Sequence, residues 1–180
     1  MLTNEFNTNK PLIVGNKTFL STFNLDDITP AHISWLNDRL VTQYSEQRHI
    51  QHSYETCFSY LKSFENSNNL FLSIKIKATC ASIGSLTVYH DIHNQIADMG
   101  ILIGDKDSWN GGFGFDAWFY TMEFLKTKRT LRKISCGTLE SNLPMIKLAE
   151  KSGMSYDGKR QKHALHKGKA LNILFFAKYL

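Results

Sequence analysis

The chain of 180 residues contains only three prolines and three cysteines, and no apolar run approaches the roughly 20 residues that span a membrane. Each scarcity excludes something. Cys57, Cys80 and Cys136 are odd in number and lack metal-type spacing, which argues for reduced thiols rather than a disulfide framework. The opening MLTNEFNTNK has neither a basic start nor an apolar stretch, so no secretory leader is read there and a cytoplasmic protein without a membrane partner is expected. The net charge of +5 is modest and is not gathered in one block. Its densest basic stretches, KTKRTLRK (126–133) and KRQKHALHKGK (159–169), carry no interleaved aromatics of the kind that stack bases, so no nucleic-acid partner is expected. Solvated faces explain these stretches, as does a phosphate-rich small ligand. His90, His93, His163 and His166 lack the spacing of a helical metal motif, and no metal is expected.

What the chain does have is apolar and aromatic content, 42% and 12% respectively, enough for a globular fold with a sizeable core. No repeat or low-complexity linker interrupts it, so residues 1–180 read as a single domain, with 1–10 a loosely ordered N-terminal segment. KTFLSTFN (17–24) reads as a strand, DDITPAHISWLND (26–38) as a capped helix, and SYETCFSYLKSFENS (53–67) as an amphipathic helix. Three strand candidates follow at 70–78, 81–90 and 95–104, then a helix from Phe113 to about Lys128. A strand over 131–140, a helix over 141–154 and a closing strand over 169–180 complete the chain. The order β, αα, βββ, α, β, α, ββ describes an α/β domain with helices covering a mixed sheet.

Three glycines at 111, 112 and 114 lie between the strand ending near Gly104 and the helix beginning near Phe113. There, unpaired backbone N–H groups and the positive end of a helix dipole point outward together, which suits phosphate. A tight turn with close helix packing accounts for a short glycine cluster equally well. Neither a Gly-Lys-Ser/Thr ending nor a G-x-G-x-x-G opening is present.

A second stretch adds weight. WNGGFG (109–114) and NLPMIKLAEKSGM (142–154), together with SWLND (34–38) and ASIGSL (81–86), resemble the GCN5-related N-acetyltransferase (GNAT) superfamily, in the branch of ribosomal-protein alanine acetyltransferases and nucleotide-sugar N-acetyltransferases. The resemblance covers nearly the whole chain. It implies a mixed, mostly antiparallel central sheet of about 6–7 strands flanked by about 4 helices. It also implies acetyl-CoA as co-substrate. The coenzyme would be held by Met99, Ile101, Leu102 and Ile103 along its pantetheine arm, by Trp109, Asn110, Gly111, Gly112, Phe113, Gly114 and Phe115 at its diphosphate, and by Asn142, Lys147 and Lys151 on the later helix. Trp109 stands where the family carries Gln or Arg, so the loop would rely on amides and helix dipole alone. A backbone N–H near Leu102 or Ile103 would take the oxyanion role.

Attack on a thioester needs a neutral amine, hence a base. Asp98 is the first candidate, on the strand where related sequences often carry Glu; Glu140 and His90 are alternatives, and each of the three also reads as structural. An ordinary Asp titrates near about 3.9, so burial or a water relay would have to assist. The positions at which the family supplies a general acid are Ala149 and Met145, neither of which donates a proton, leaving Ser141, Ser152 and Tyr156. Cys136, mid-strand without a His partner, reads as core. The acceptor is expected to be a small-molecule amine, an amino sugar on a nucleotide, met by Trp35, Arg39, Arg48 and His90. Acetylation of a protein N-terminus is the alternative within the class. A non-catalytic acyl-CoA-binding domain is the alternative outside it, and a homodimer is left open.

Overall fold

The computed structural model describes residues 10–128 and 130–180, so the N-terminal segment expected over 1–10 lies almost wholly outside the described residues. The described strands are β1 (Ile13–Val14), β2 (Thr18–Thr22), β3 (Leu70–Ile76), β4 (Ser82–Asp91), β5 (Ile96–Ile103), β6 (Lys133–Leu139), β7 (Ser155–His166) and β8 (Lys169–Tyr179). They form one sheet in the order β1-β2-β3-β4-β5-β6-β8-β7. Every neighbouring pair is antiparallel except β5 and β6. The helices are α1 (Pro30–Asn37), α2 (Arg39–Thr42), α3 (Tyr54–Lys62), α4 (Phe113–Lys128) and α5 (Leu143–Lys151).

Alternation along the central strands decides which face meets which helix. Leu72, Ile74, Leu86, Val88, Ala97 and Met99 point one way and join Ala117, Trp118, Met122 and Leu125 of α4 and Ala149 of α5 in the main core. Phe71 points the other way and packs with Phe23, Ile28 and Cys57, flanked by Ile33 and Leu36 of α1 and Phe58 and Leu61 of α3. Both faces of the sheet are therefore covered, and the site lies where that cover parts.

The class agrees with the sequence reading, but the described residues hold eight strands and five α-helices where fewer were expected. The additions are elements with little sequence period. β1 has two residues and α2 has four. β7 runs through the basic 159–169 segment and is exposed along most of its length, so it needs no apolar alternation. The expected helix over 26–38 is divided: Leu25–Asp27 forms a 3-10 turn, and α1 starts at Pro30 with Thr29 accepting from the His32 amide as N-cap.

Candidate active site

β5 and β6 pair over only three rungs, Ile96↔Lys133, Ala97↔Ile134 and Asp98↔Ser135. Beyond Asp98 the strands diverge, while β4 stays paired with β5 up to Ile103. One edge of β5 thus borders a gap lined by its own residues 99–103 and by Gly137, Thr138 and Leu139 of β6. The gap is part of a cleft of about 640 Å³ that continues to Trp109, Asn110, Gly112, Gly114 and Phe115 on one side and to Asn142 and Met145 on the other.

The loop at its end is shaped by backbone conformation. Asn110 and Gly112 both have positive φ, 61° and 79°, and α4 begins immediately afterwards. Gly112 fits that region because it has no Cβ, and Asn is among the few other residues that adopt it readily. Trp109 takes no part as a charge; its indole N–H donates to the Ile103 carbonyl at 2.9 Å and ties the end of β5 to the loop. A charge is nevertheless present. Lys17 donates from Nζ to the Gly111 carbonyl at 2.8 Å and lies 5.7 Å from the centre of the Phe113 ring, which corrects the expectation of a loop served by dipole and amides alone. The turn carrying Lys17 is fixed by Asp116 in the first turn of α4. This buried carboxylate accepts from the amides of Asn16, Lys17 and Thr18 and from Thr18 Oγ1.

Gly84 of β4 governs the backbone at the other end of the cleft. A Cβ there would lie 2.1 Å from the Leu102 carbonyl oxygen and 3.0 Å from Ile103 Cα. The Leu102 carbonyl therefore occupies space that only glycine leaves open, and the orientation of the Leu102–Ile103 peptide depends on it.

A second cavity, of about 670 Å³, lies on the opposite face of β5. α1 contributes His32 and Leu36; α3 contributes Thr56, Cys57, Ser59 and Tyr60; the sheet contributes Phe71, Ser85 and Thr87. The two cavities share Ser45, Gly100, Ile101 and Leu102. Burial pushes His32 down to about 4, an effect opposed by Asp27 and reinforced by His52, so its imidazole is neutral at pH 7. His52 meets the Gln47 carbonyl through Nε2 at 3.2 Å, so Nε2 carries the hydrogen and Nδ1 is the acceptor in the neutral ring. Burial raises the Cys57 thiol, and it raises the Tyr60 phenol together with the Tyr89 hydroxyl 2.8 Å away.

Asp98 stands on the last paired rung, where its carboxylate accepts from Ser135 Oγ at 2.8 Å. Loss of hydration beside the sheet raises its carboxyl above the ordinary value, and the Ser135 bond partly offsets this, even though the residue keeps contact with solvent. It lines neither cavity, but Gly100, two residues along the same face, lines both, at a strand spacing of about 6.7 Å.

Several expected site residues are placed elsewhere. Glu140 is engaged by Asn172, whose backbone and side-chain amides both donate to it at 2.8 Å, so it clips β6 to β8. Ser141 has a buried hydroxyl without a protein partner and lines neither cavity. Ser152 is buried, accepting from the Trp118 indole and donating to the Ala149 carbonyl, and Tyr156 is exposed on β7. Trp35 packs where a Cβ on Gly104 would fall, 2.3 Å from its ring, and so supports the end of β5 from outside. Arg39 is exposed on α2, and Arg48 donates to the carbonyls of Ser45 and Leu165 and pairs with Glu46 at 2.9 Å. His90 lies opposite Ala97, on the main-core face rather than the face of the second cavity. Lys147 and Lys151 are exposed on α5; Lys151 sits 4.5 Å from the centre of the Phe115 ring, outside the cleft lining. Asn142 lines the cleft as N-cap of α5, accepting from the Met145 amide and donating to Thr138 Oγ1. The sequence reading missed Lys17, Tyr44, Ser45, His32 and His52. Gly84 lay inside ASIGSL, a stretch that carries the family resemblance, whereas Lys17 and His32 lay in stretches read only as secondary structure.

The chain matches the acetyltransferase (GNAT) domain over residues 17–155. Among solved structures it superposes on a GNAT-family acetyltransferase from Bacillus anthracis with a TM-score of 0.80 at 16% identity, covering 93% of this chain and 97% of that one. It superposes on RimL, a ribosomal-protein alpha-N-acetyltransferase in complex with coenzyme A, with a TM-score of 0.83 at 13% identity, covering 95% and 98%. For the spermidine N-acetyltransferase of Vibrio cholerae, in complex with coenzyme A and spermine, the values are 0.80, 15%, 91% and 95%. No curated protein matches the sequence. The domain match spans well over half of the chain, and the parted β5 and β6 strands, the glycine loop at the head of α4 and the capped α5 lie within it: the chain belongs to the GNAT acetyltransferase family.

Proposed function

We propose that this chain transfers an acetyl group from acetyl-CoA to the primary amine of a small hydroxylated molecule, an amino sugar, by direct attack in a ternary complex. The observation that carries the reading is the junction of the two cavities at Ser45, Gly100, Ile101 and Leu102, on the strand that leaves its neighbour. Coenzyme A in the similar RimL and spermidine acetyltransferase structures supports acetyl-CoA as the donor.

In this reading the coenzyme lies along the free edge of β5, with its diphosphate against the amides of Asn110 to Phe115 and the dipole of α4. The amine arrives through the second cavity and meets the thioester across Gly100 to Leu102. An amide at Leu102 or Ile103, held by the room at Gly84, stabilises the oxyanion. Asp98 takes the amine proton through one water, because the spacing to Gly100 is too long for direct contact. Ser141, Ser152 and Tyr156 do not line the cleft, whereas Tyr44 and Ser45, at or beside the junction, do and are the donors proposed for the departing thiolate. A coenzyme thiol resembles Cys in acidity, about 8.5, and also leaves as thiolate.

The nucleotide expected on the acceptor finds less support. Arg39 and Arg48, the side chains meant to meet a diphosphate, line neither cavity.

The test has two parts. Acetyl-CoA at about 100 times its dissociation constant stabilises the chain by about 2.7 kcal/mol, read as a raised Tm. Coenzyme A is then released on addition of a primary amine. A Tm shift no larger than that given by the same concentration of sodium sulfate overturns the donor assignment. Faster turnover with a protein N-terminal peptide than with every small amine moves the acceptor to the protein class.

A further inference from the structure

We propose that the second cavity selects an acceptor whose reacting amine is its only ionisable group: a free polyhydroxylated amine, carrying neither a phosphate nor a second ammonium. The proposal rests on the transferase reading above and narrows its substrate class.

Among the described residues, no Asp, Glu, Lys or Arg lines the cavity. Beyond the lining, Asp98 stands two residues from Gly100 and accepts from Ser135, and two further carboxylates are paired. Asp27, behind His32, pairs with Lys75 at 3.1 Å, and Glu46 pairs with Arg48 at the rim. Of the two histidines of the wall, His32 is neutral at pH 7, and His52 turns its Nε2 hydrogen to the Gln47 carbonyl. What the wall holds instead is hydroxyl groups: those of Ser59, Ser85 and Thr87, and those of Thr56, Tyr60 and Ser63, which also bond Ser53, the Tyr89 hydroxyl and the Tyr60 carbonyl respectively. Hydroxyls both donate and accept, so they match the hydroxyls of a neutral ligand in either sense. Leu36, Ile50, Phe71 and Leu102 supply the apolar remainder.

Placing a phosphate or a second ammonium in such a cavity removes part of its hydration without supplying a counter-charge, which disfavours its binding. A hydroxylated neutral body bears no such penalty. The same argument acts on the reacting amine. As an ammonium it finds no carboxylate in the wall, so desolvation favours its uncharged form, which is the nucleophile. The cavity therefore both sorts acceptors by charge and assists the deprotonation that Asp98 completes.

The experiment uses the full chain with acetyl-CoA and three probes: glucosamine, UDP-glucosamine and spermidine. Coenzyme A release gives kcat/KM, and calorimetry gives the affinity of each probe for the chain. Glucosamine is expected to exceed both others by at least about tenfold on both measures, a difference of about 1.4 kcal/mol. The variant Ser59→Asp, which places a carboxylate in the wall, is expected to raise spermidine and lower glucosamine. Preference of the unaltered chain for spermidine or UDP-glucosamine overturns the proposal, as does a Ser59→Asp variant, folded by its Tm, with unchanged ranking. If no probe turns over, the transferase reading fails, and the calorimetric ranking still decides the cavity's preference: glucosamine first upholds it, and any other order, or no binding, overturns it.

Discussion

The two cavities that meet at Gly100 to Leu102 are built by different means. The cleft proposed for the coenzyme is framed by backbone features, namely the free edge of β5, a loop with two left-handed residues and the amide end of α4, with side chains such as Tyr44, Met145 and Leu148 around them. The second cavity is made of side chains from α1, α3 and the sheet, brought together across the fold. A backbone site binds what all its relatives share and tolerates side-chain change. A side-chain site can change its ligand with a few substitutions while the fold stays put. In the proposed reading the first half holds the coenzyme and the second half holds the acceptor.

That contrast is tested hardest at the junction. Asp98→Asn keeps size but removes the proton acceptor, and turnover is expected to fall by about 10²–10⁴-fold while acetyl-CoA affinity is unchanged. Because the carboxyl is raised above its ordinary range, the acid limb of kcat/KM in the unaltered chain is expected at a higher pH than an ordinary Asp would give, and the limb should vanish in the variant. A turnover within about twofold of the original removes Asp98 from the mechanism.

On the side-chain half, His32 links stability to pH. Its folded value of about 4 lies below the ordinary 6.5, so the folded state binds fewer protons than the unfolded state between those two values. Its contribution is present in full above pH 6.5 and is lost as pH falls through that window to about 4. At about 1.4 kcal/mol per pKa unit this amounts to at most about 3 kcal/mol. His32→Asn should flatten denaturant midpoints over this range, and an unchanged slope refutes the assignment.

On the backbone half, Gly84→Ala forces the Leu102 carbonyl to move, a strain of about 1–3 kcal/mol in a packed sheet. The expectation is a lower kcat with acetyl-CoA binding retained, since the displaced peptide is the one assigned to the oxyanion. Full activity in a folded Gly84→Ala variant would separate the oxyanion amide from this rung.

The smallest effect belongs to Lys17, a charged side chain bonded to the glycine loop. Lys17→Ala is expected to weaken acetyl-CoA by about 1 kcal/mol or less, and less again in high salt, because the group is exposed. Acetyl-pantetheine, which has no phosphates, should bind both proteins alike. Equal losses with both ligands would make Lys17 a loop tether only.

Local chemistry explains how much was legible beforehand. The central strands and α4 followed from apolar periodicity, α5 from Asn142, Pro144 and Gly153, and the loop from glycines between a strand and a helix. β1 and α2 were too short to show a period, and β7 is too exposed to need one. Within the site, Trp109 shows where reading by position stops: it occupies the place of a charged residue in the motif, yet its indole serves the backbone of Ile103, and the charge arrives from Lys17 in a distant turn. Glu140 likewise has the chemistry of a base, but Asn172, 32 residues later, claims both of its oxygens.

The sequence by itself determined the cap and end of α5, the amphipathic faces and the glycine loop, because each depends on residues a few positions apart. Tertiary structure alone decided that β5 and β6 part after three rungs, and that Leu102 turns its carbonyl over Gly84. It also decided that α1, α3 and the sheet enclose a cavity whose described lining holds no Asp, Glu, Lys or Arg. These depend on contacts between elements far apart in the chain, where the partner of a side chain is fixed by packing and not by spacing.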